Sequence, residues 1–236
     1  GASGVEYSKR IIVMKMRFAW LVVGLLVPFS ANAAEGKSGY VRGAFNYSSQ
    51  EDVTVFGSSR GGGEVSFENG LGGELALGAN LWKDKSWSVE FVFSGTSYDA
   101  DSATPNSGFG SVRTAVTAAG DATIYTSGLG LLYSYKKKKV HPYIGVGVGA
   151  AFIDVNDASV GTTTEVFNVS SWAPAANVSA GVSIPVGKKG LAVDIGYKFA
   201  AIGDLSDAVG VSASGNDVKT RYTTNHNALV GLRLNF

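Results

Sequence analysis

The C-terminal stretch Tyr222–Phe236, YTTNHNALVGLRLNF, has two faces of different chemistry. Every second residue from Tyr222 onward forms one face, and its last five members, from Ala228 to Phe236, are apolar. The other face runs from Thr223 to Asn235 and is polar at nearly every step. Successive side chains of a strand point to opposite sides. The alternation therefore predicts one long strand that separates two environments.

The composition favours strands over helices. The chain of 236 residues contains 32 Gly, five Pro and no Cys. Glycine is a poor helix former, whereas the frequent Tyr, Phe and Val suit strands. The lack of Cys excludes disulfides and thiolate metal sites. The net charge of +1 argues against nucleic acid as a partner, because nucleic acid is bound by strongly basic surfaces.

Residues 14–33 have the parts of an export signal. They contain, in order, a positively charged end, an apolar run and the small-x-small site Ala31-Asn32-Ala33. The apolar run is far shorter than the roughly 20 residues that a membrane helix needs. We expect cleavage after Ala33 to leave a single mature domain at 34–236, and residues 1–13 to be an upstream segment.

Eight alternating segments follow the signal, separated by connections of two kinds. The segments are 39–47, 71–81, 87–95, 123–135, 140–154, 172–186, 191–199 and the C-terminal stretch. Short turns at 82–86, 136–139 and 187–190 alternate with long loops at 48–70, 95–122, 154–171 and 200–219. A soluble eight-stranded sandwich or lipocalin has the same strand count, but its apolar faces point inward. The export signal, the terminal Phe and the alternation of short and long connections favour a membrane barrel. We therefore predict an all-β fold, a closed, antiparallel, up-and-down transmembrane β-barrel of about eight strands.

Two motifs carry a family resemblance, HPYIGVGVGAAF at 141–152 and NHNALVGLRLNF at 225–236. With the strand pattern, they resemble the small eight-stranded outer-membrane β-barrels of Gram-negative bacteria, which include OmpA-like, OmpX-like and opacity-protein-like proteins. The resemblance covers the whole mature chain. It implies location in the cell outer membrane and contact with outer-membrane lipid and lipopolysaccharide. It also implies that Phe236 is the assembly signal read by the barrel-assembly machinery.

Six charged residues fall on the predicted inward faces, three positive and three negative: Arg42, Glu74, Glu90, Asp194, Lys198 and Arg233. Counted from the short-turn side, Glu74 and Lys198 lie higher than the other four, so the charges divide into two neutral layers. The interior of an eight-stranded barrel is just wide enough for side chains to fill, and an unpaired buried charge is costly. The pattern predicts a salt-bridged plug; a gated pore for small solutes, lined by the same residues, is the alternative. Inward glycines predict tight curvature and room for long side chains, or alternatively a water-filled pocket.

Several other patterns resemble chemical motifs only in part. The glycines of Gly145–Ala151 superficially resemble a dinucleotide-binding loop, but they repeat at every second residue within a strand. A dinucleotide-binding loop requires a helix directly after it, and the sequence predicts none here. His141 and His226 lie at opposite ends of the predicted barrel and so do not predict a metal site. A lipid-modifying enzyme would need an acidic partner beside His226, and the outward faces offer none. We predict no cofactor.

Charges and aromatic residues are segregated along the predicted barrel. Lysines concentrate in the short turns and carboxylates in the long loops. One aromatic group lies near the turns (Trp87, Tyr133, Tyr135 and Phe236) and another nearer the loops (Tyr47, Phe93, Tyr125, Phe152, Trp172 and Phe199), as in interfacial girdles. The sequence predicts a non-catalytic barrel whose acidic loops serve surface interaction, adhesion to a host or envelope ligand, or envelope stabilisation. A narrow porin-like channel is the second hypothesis, and a lipid-modifying enzyme is the third.

Overall fold

The structure, a computed structural model, describes residues 39–50, 53–57, 61–82, 86–107, 116–135, 139–160, 166–186, 190–203, 218–220 and 223–236. The predicted export signal and its cleavage site lie outside these ranges. Within them, no helix has the length and hydropathy needed to cross a membrane.

Eleven strands form within the described ranges. In chain order they are β1 (Gly39–Gln50), β2 (Val53–Gly57), β3 (Gly61–Phe67), β4 (Gly70–Asn80), β5 (Trp87–Ser107), β6 (Val116–Ser134), β7 (His141–Val160), β8 (Val166–Pro185), β9 (Leu191–Ile202), β10 (Val218–Thr220) and β11 (Thr223–Asn235).

Eight of these strands close into a barrel in which every neighbouring pair is antiparallel. Its order is β1-β4-β5-β6-β7-β8-β9-β11, and β11 pairs again with β1. The closing seam ends in two backbone hydrogen bonds of 2.9 Å each, in which Gly39 and Phe236 donate to one another's carbonyl oxygens. The predicted closed barrel of eight strands is confirmed.

The barrel wall presents apolar side chains outward and polar ones inward. Val148 is 68% exposed, Phe45 58% and Leu232 57%, whereas the inward-facing Asn46 and Arg233 are 1% and 4% exposed. Along β11 and the following Phe236, the ten steps from His226 to Phe236 span about 33 Å, or about 25 Å along the barrel axis at a tilt of about 40°. That height matches the apolar band of a membrane barrel. The burial pattern thus assigns the apolar faces to lipid, as the sequence predicts.

Four barrel strands are longer than a membrane crossing requires. β5 to β8 have 19 to 21 residues each, whereas about 9–11 suffice to cross the bilayer. The predictions of loops at 95–122 and 154–171 were therefore wrong in part, because strand pairing continues into both. A strand that extends beyond the membrane contacts water on both faces, so its sequence does not need to alternate between apolar and polar residues.

The predicted loop at 48–70 was also wrong in part. It contains the β2–β3 hairpin, and β3 pairs with the distal half of β5 through Gly61–Phe67. The short strand β10, which overlaps the end of the predicted loop at 200–219, pairs with β2. Strands in the order β10-β2-β3-β5-β6-β7-β8 therefore continue beyond the barrel as one sheet, which we call the distal sheet.

Candidate functional site

The lumen is closed at its short-turn end by an arginine between two tyrosine rings. The Arg233 guanidinium carbon lies 4.3 Å from the centroid of Tyr40 and 5.7 Å from that of Tyr143. Arg233 Nε donates a 2.8 Å hydrogen bond to Asp194 Oδ2, and the side chains of both residues are at least 96% buried. Gly78 makes this packing possible, since a Cβ there would lie 2.1 Å from the Tyr40 ring.

Above this stack, four further charged and polar contacts form a continuous chain across the lumen. The Tyr40 hydroxyl donates to Glu90. Arg42 donates from Nη2 to Glu74 at 2.9 Å and to Glu90 at 3.4 Å. Lys198 donates to the other oxygen of Glu74. The side chains of these four charged residues are all 10% exposed or less.

Two of these ion pairs connect strands that are not neighbours. Glu74 on β4 and Lys198 on β9 are separated in the sheet by β1 and β11, so their contact spans the lumen. Arg42 on β1 likewise reaches Glu90 on β5 across β4. The structure therefore places all six predicted charges in the lumen and brings them into pairs. We expected two separate layers of charge, but the layers are joined, because Arg42 of the lower layer donates a hydrogen bond to Glu74 of the upper layer.

A cavity lies beside the charged residues, against the wall made by β6 and β7. Its volume is about 50 Å³, and Arg42, Glu74, Lys198, Asn177 and Gly130 are among the residues that line it. A water molecule needs about 10–15 Å³ of such space, so the cavity accommodates only a few waters. Gly130 leaves room on this side, because a Cβ there would meet a single atom, the carbonyl oxygen of Val146, at 3.4 Å.

An apolar cluster, absent from the sequence predictions, closes the opposite end of the lumen. Its members are Tyr98, Ala122, Ile124, Ala151, Ile153, Ala173 and Ile202, each at most 8% exposed. The Tyr98 hydroxyl shares a 2.6 Å hydrogen bond with Ser48, and the Tyr98 ring packs edge-on against Phe67 with centroids 6.5 Å apart. We call this group the apolar plug. Continuing the inward positions past the predicted strand ends would have placed Tyr98 and Ile202 in the lumen.

The remaining singled-out residues lie on the outside or at the rim of the barrel. Phe236 is 55% exposed beside the start of β1, and a Cβ on Gly39 would lie 3.0 Å from its ring. His226 faces outward, where its Nδ1 shares a hydrogen bond with the Tyr197 hydroxyl. Within the described ranges, no three His, Cys, Asp or Glu residues are arranged to hold a metal ion.

Outward aromatic side chains lie at both ends of the apolar band. At the short-turn end, the Trp87 ring lies 6.2 Å from Trp82 and 5.0 Å from Tyr133, measured between centroids. At the other end, the rings of Phe93, Tyr125, Phe152 and Trp172 form a row across β5 to β8, with successive centroids 6.4, 6.5 and 5.1 Å apart. We call this the aromatic row. It marks one boundary of the apolar band, where amphipathic rings are favoured.

Comparison with known proteins identifies the fold and little beyond it. No family model and no curated protein matches the chain. Among solved structures, Neisserial surface protein A is similar at 17% identity and a TM-score of 0.50, over 84% of this chain and 97% of that one. Outer membrane protein OprG from Pseudomonas aeruginosa (14% identity, 85% and 96% coverage, TM-score 0.48) and the outer membrane protease OmpT from Escherichia coli (7%, 85% and 97%, 0.45) also match. The chain has the fold of the small, eight-stranded outer-membrane β-barrels of bacteria.

Proposed function

We propose that this protein is a closed membrane anchor that presents the distal sheet and its connecting loops as a non-catalytic interaction surface outside the outer membrane. The observation that carries the proposal is the double closure of the lumen. Paired charges and stacked rings fill one end, and the apolar plug fills the other. Both closures disfavour an open pore for hydrated solutes.

The length of the strands supports a surface role. β5 has 21 residues, so about ten residues remain beyond the membrane crossing, which corresponds to roughly 25 Å of height at the usual tilt. A barrel that serves only as a membrane anchor does not require paired strands that extend this far beyond the membrane. A rigid platform that holds loops away from the membrane suits binding, because functional residues are commonly placed on loops fixed by a scaffold.

Electrostatics indicate the class of partner. Glu68, Asp99 and Asp121 are exposed at the base of the distal sheet: Glu68 directly follows β3 and its backbone N–H donates to the Asp99 carbonyl oxygen, and Asp99 and Asp121 are cross-strand partners. Like charges directly opposite one another are unfavourable in isolation. A basic surface on a host cell or in the envelope would relieve this repulsion on contact, and we propose such a surface as the partner.

The experiment compares full-length and trimmed barrels displayed on bacterial cells. Because Asp99 and Asp121 pair directly, a two-residue Asn-Gly turn joining them would remove residues 100–120 while keeping the barrel strands. We expect display levels and the heat-dependent gel shift to be unchanged, and adherence to cultured epithelial cells to fall several-fold. Charge reversal of the three carboxylates to Lys, with strands intact, should give the same loss. Equal adherence of all variants would contradict the proposal.

A narrow channel remains the second candidate, favoured by one observation. The cavity has the charged side chains of Lys198, Glu74 and Arg42 in its lining, so displacement of the apolar plug would connect these charges to the outside. In that case refolded protein would conduct in planar bilayers, and trimming the distal sheet would leave adherence unchanged.

A further inference from the structure

The first five residues of β8, Val166–Ser170, lie at one edge of the distal sheet. One side of this segment pairs with β7. On the other side, the pairing of β8 with β9 ends where the Pro174 carbonyl oxygen accepts a 2.7 Å hydrogen bond from the Gly203 N–H. Within the described ranges, no strand pairs with that side of Val166–Ser170. We call this side of the segment the β8 edge.

The hydrogen-bonding groups of the β8 edge follow from the pairing next to it. Along an antiparallel strand, the backbone N–H and C=O groups of successive residues point to opposite sides. The Pro174 carbonyl points to the β9 side. The groups of every second residue before it therefore point to the same side, and they include those of Ser170, Asn168 and Val166. The register shift between the two strands places the additional residue on β7, within Val155–Ala158, so β8 itself continues regularly.

The two outer strands of the distal sheet differ in their protection from further pairing. Natural proteins protect sheet edges with very short strands, charged residues, proline or bulges. At the far side of the sheet, β10 has three residues and contains Lys219. The β8 edge has the sequence VFNVS, which contains neither charge nor proline and is rich in strand-forming residues. We propose that the β8 edge is the docking site for an extended segment of a partner protein, which adds to the distal sheet as a further strand.

The geometry of the barrel disfavours a second copy in the same membrane as the occupant. The strands of a membrane barrel tilt by about 40° from its axis, and the facing strands of two identical barrels tilt in opposite directions. The β8 edges of two neighbouring copies would therefore cross at about 80°, which prevents strand pairing over the length of Val166–Ser170. A segment of another protein does not have this constraint.

A carboxylate beside the β8 edge indicates the charge of the added segment. Asp154 on β7 accepts a 2.6 Å hydrogen bond from the Ser170 hydroxyl, and the two residues are cross-strand partners. An added residue opposite Ser170 would lie two strand spacings, about 10 Å, from Asp154. A lysine or arginine at that position reaches the carboxylate. The inference deepens the proposed function and rests on it for the basic character of the partner.

Fluorescence anisotropy titration of the refolded protein in phosphatidylcholine nanodiscs tests the inference. The probe is a fluorescein-labelled peptide of alternating lysine and threonine. Its control peptide is methylated at every backbone nitrogen, so it keeps the charge but cannot donate backbone hydrogen bonds. We expect the unmethylated peptide to bind about tenfold more tightly. Asn168→Pro removes an N–H from the β8 edge and should abolish this preference, whereas the matched control Asn168→Ala retains the N–H and should keep it.

The heat-dependent gel shift establishes that each variant folds, and Val166→Pro replaces Asn168→Pro if that variant does not. Equal affinity for the two peptides, or a preference that survives Asn168→Pro, would overturn the inference. Absence of binding by either peptide would also overturn it and would assign the β8 edge to the protein's own chain or to a second copy. The titration tests the β8 edge, whereas adherence of the trimmed barrel tests the proposed function, so the failure of one is distinguishable from the failure of the other.

Discussion

Glu74 is the residue on which the lumen charges depend, because it is paired with both Arg42 and Lys198. Glu74→Gln preserves the shape of the side chain but removes its charge. The only ion pair left to Arg42 would then be the longer one with Glu90, at 3.4 Å, and Lys198 would lose the ion pair that balances its charge. Breaking a buried pair by removing one partner costs about 3–5 kcal/mol. We expect that loss in the free energy of unfolding, measured by urea titration in phospholipid vesicles.

The second substitution Lys198→Met distinguishes charge from packing. In the double variant the uncompensated cation is gone and Arg42 retains Glu90, so we expect recovery of about 2 kcal/mol relative to Glu74→Gln alone, within the usual range of coupling energies. The exposed Glu68→Gln is the control and should stay within about 0.5 kcal/mol of wild type. A Glu74→Gln barrel as stable as this control, or a double variant with simply additive losses, would refute the reasoning.

Three further substitutions test the other parts of the account. Gly78→Ala should destabilise the barrel by about 1–3 kcal/mol through its clash with the buried Tyr40 ring, whereas Gly43→Ala, which meets nothing within 4 Å, should be near neutral; equal unfolding midpoints would contradict the packing described. Ile202→Ala removes a fully buried member of the apolar plug and should cost about 2–5 kcal/mol and raise bilayer conductance; unchanged conductance would show that the plug is not the barrier. Phe236→Ala keeps the backbone seam, so it should refold normally in vesicles but reach the outer membrane of cells in reduced amounts; normal insertion in cells would remove its role as an assembly signal.

The alternation of apolar and polar residues predicted eight strands, and the export signal, the terminal Phe and the alternation of short and long connections then favoured a membrane barrel over a soluble sandwich or lipocalin. The apolar–polar alternation also located the six lumen charges. It could not give their partners, because the contact between Glu74 and Lys198 depends on the stagger of strands that are distant in sequence. Counting residues along each strand does not reveal how far one strand is shifted relative to another.

The apolar plug was missed for a different reason. Ile124, Ala151, Ile153 and Ala173 lie at inward positions within predicted strands, but the pattern of a single strand does not show that these apolar residues meet across the lumen. The predicted strands at 87–95 and 191–199 also ended too early to include two further members. Tyr98 and Ile202 lie a few residues beyond those ends. The distal sheet was missed likewise, because strands with water on both faces need no periodic pattern.

Single-channel conductance of the refolded protein in a planar bilayer tests the closed lumen most directly, after a heat-dependent gel shift has established folding. The account predicts a folded barrel that is silent at moderate voltage, with discrete openings appearing only when Ile202 or Glu74 is replaced. Reproducible openings of the unmodified barrel would contradict the account and assign the protein to the channels.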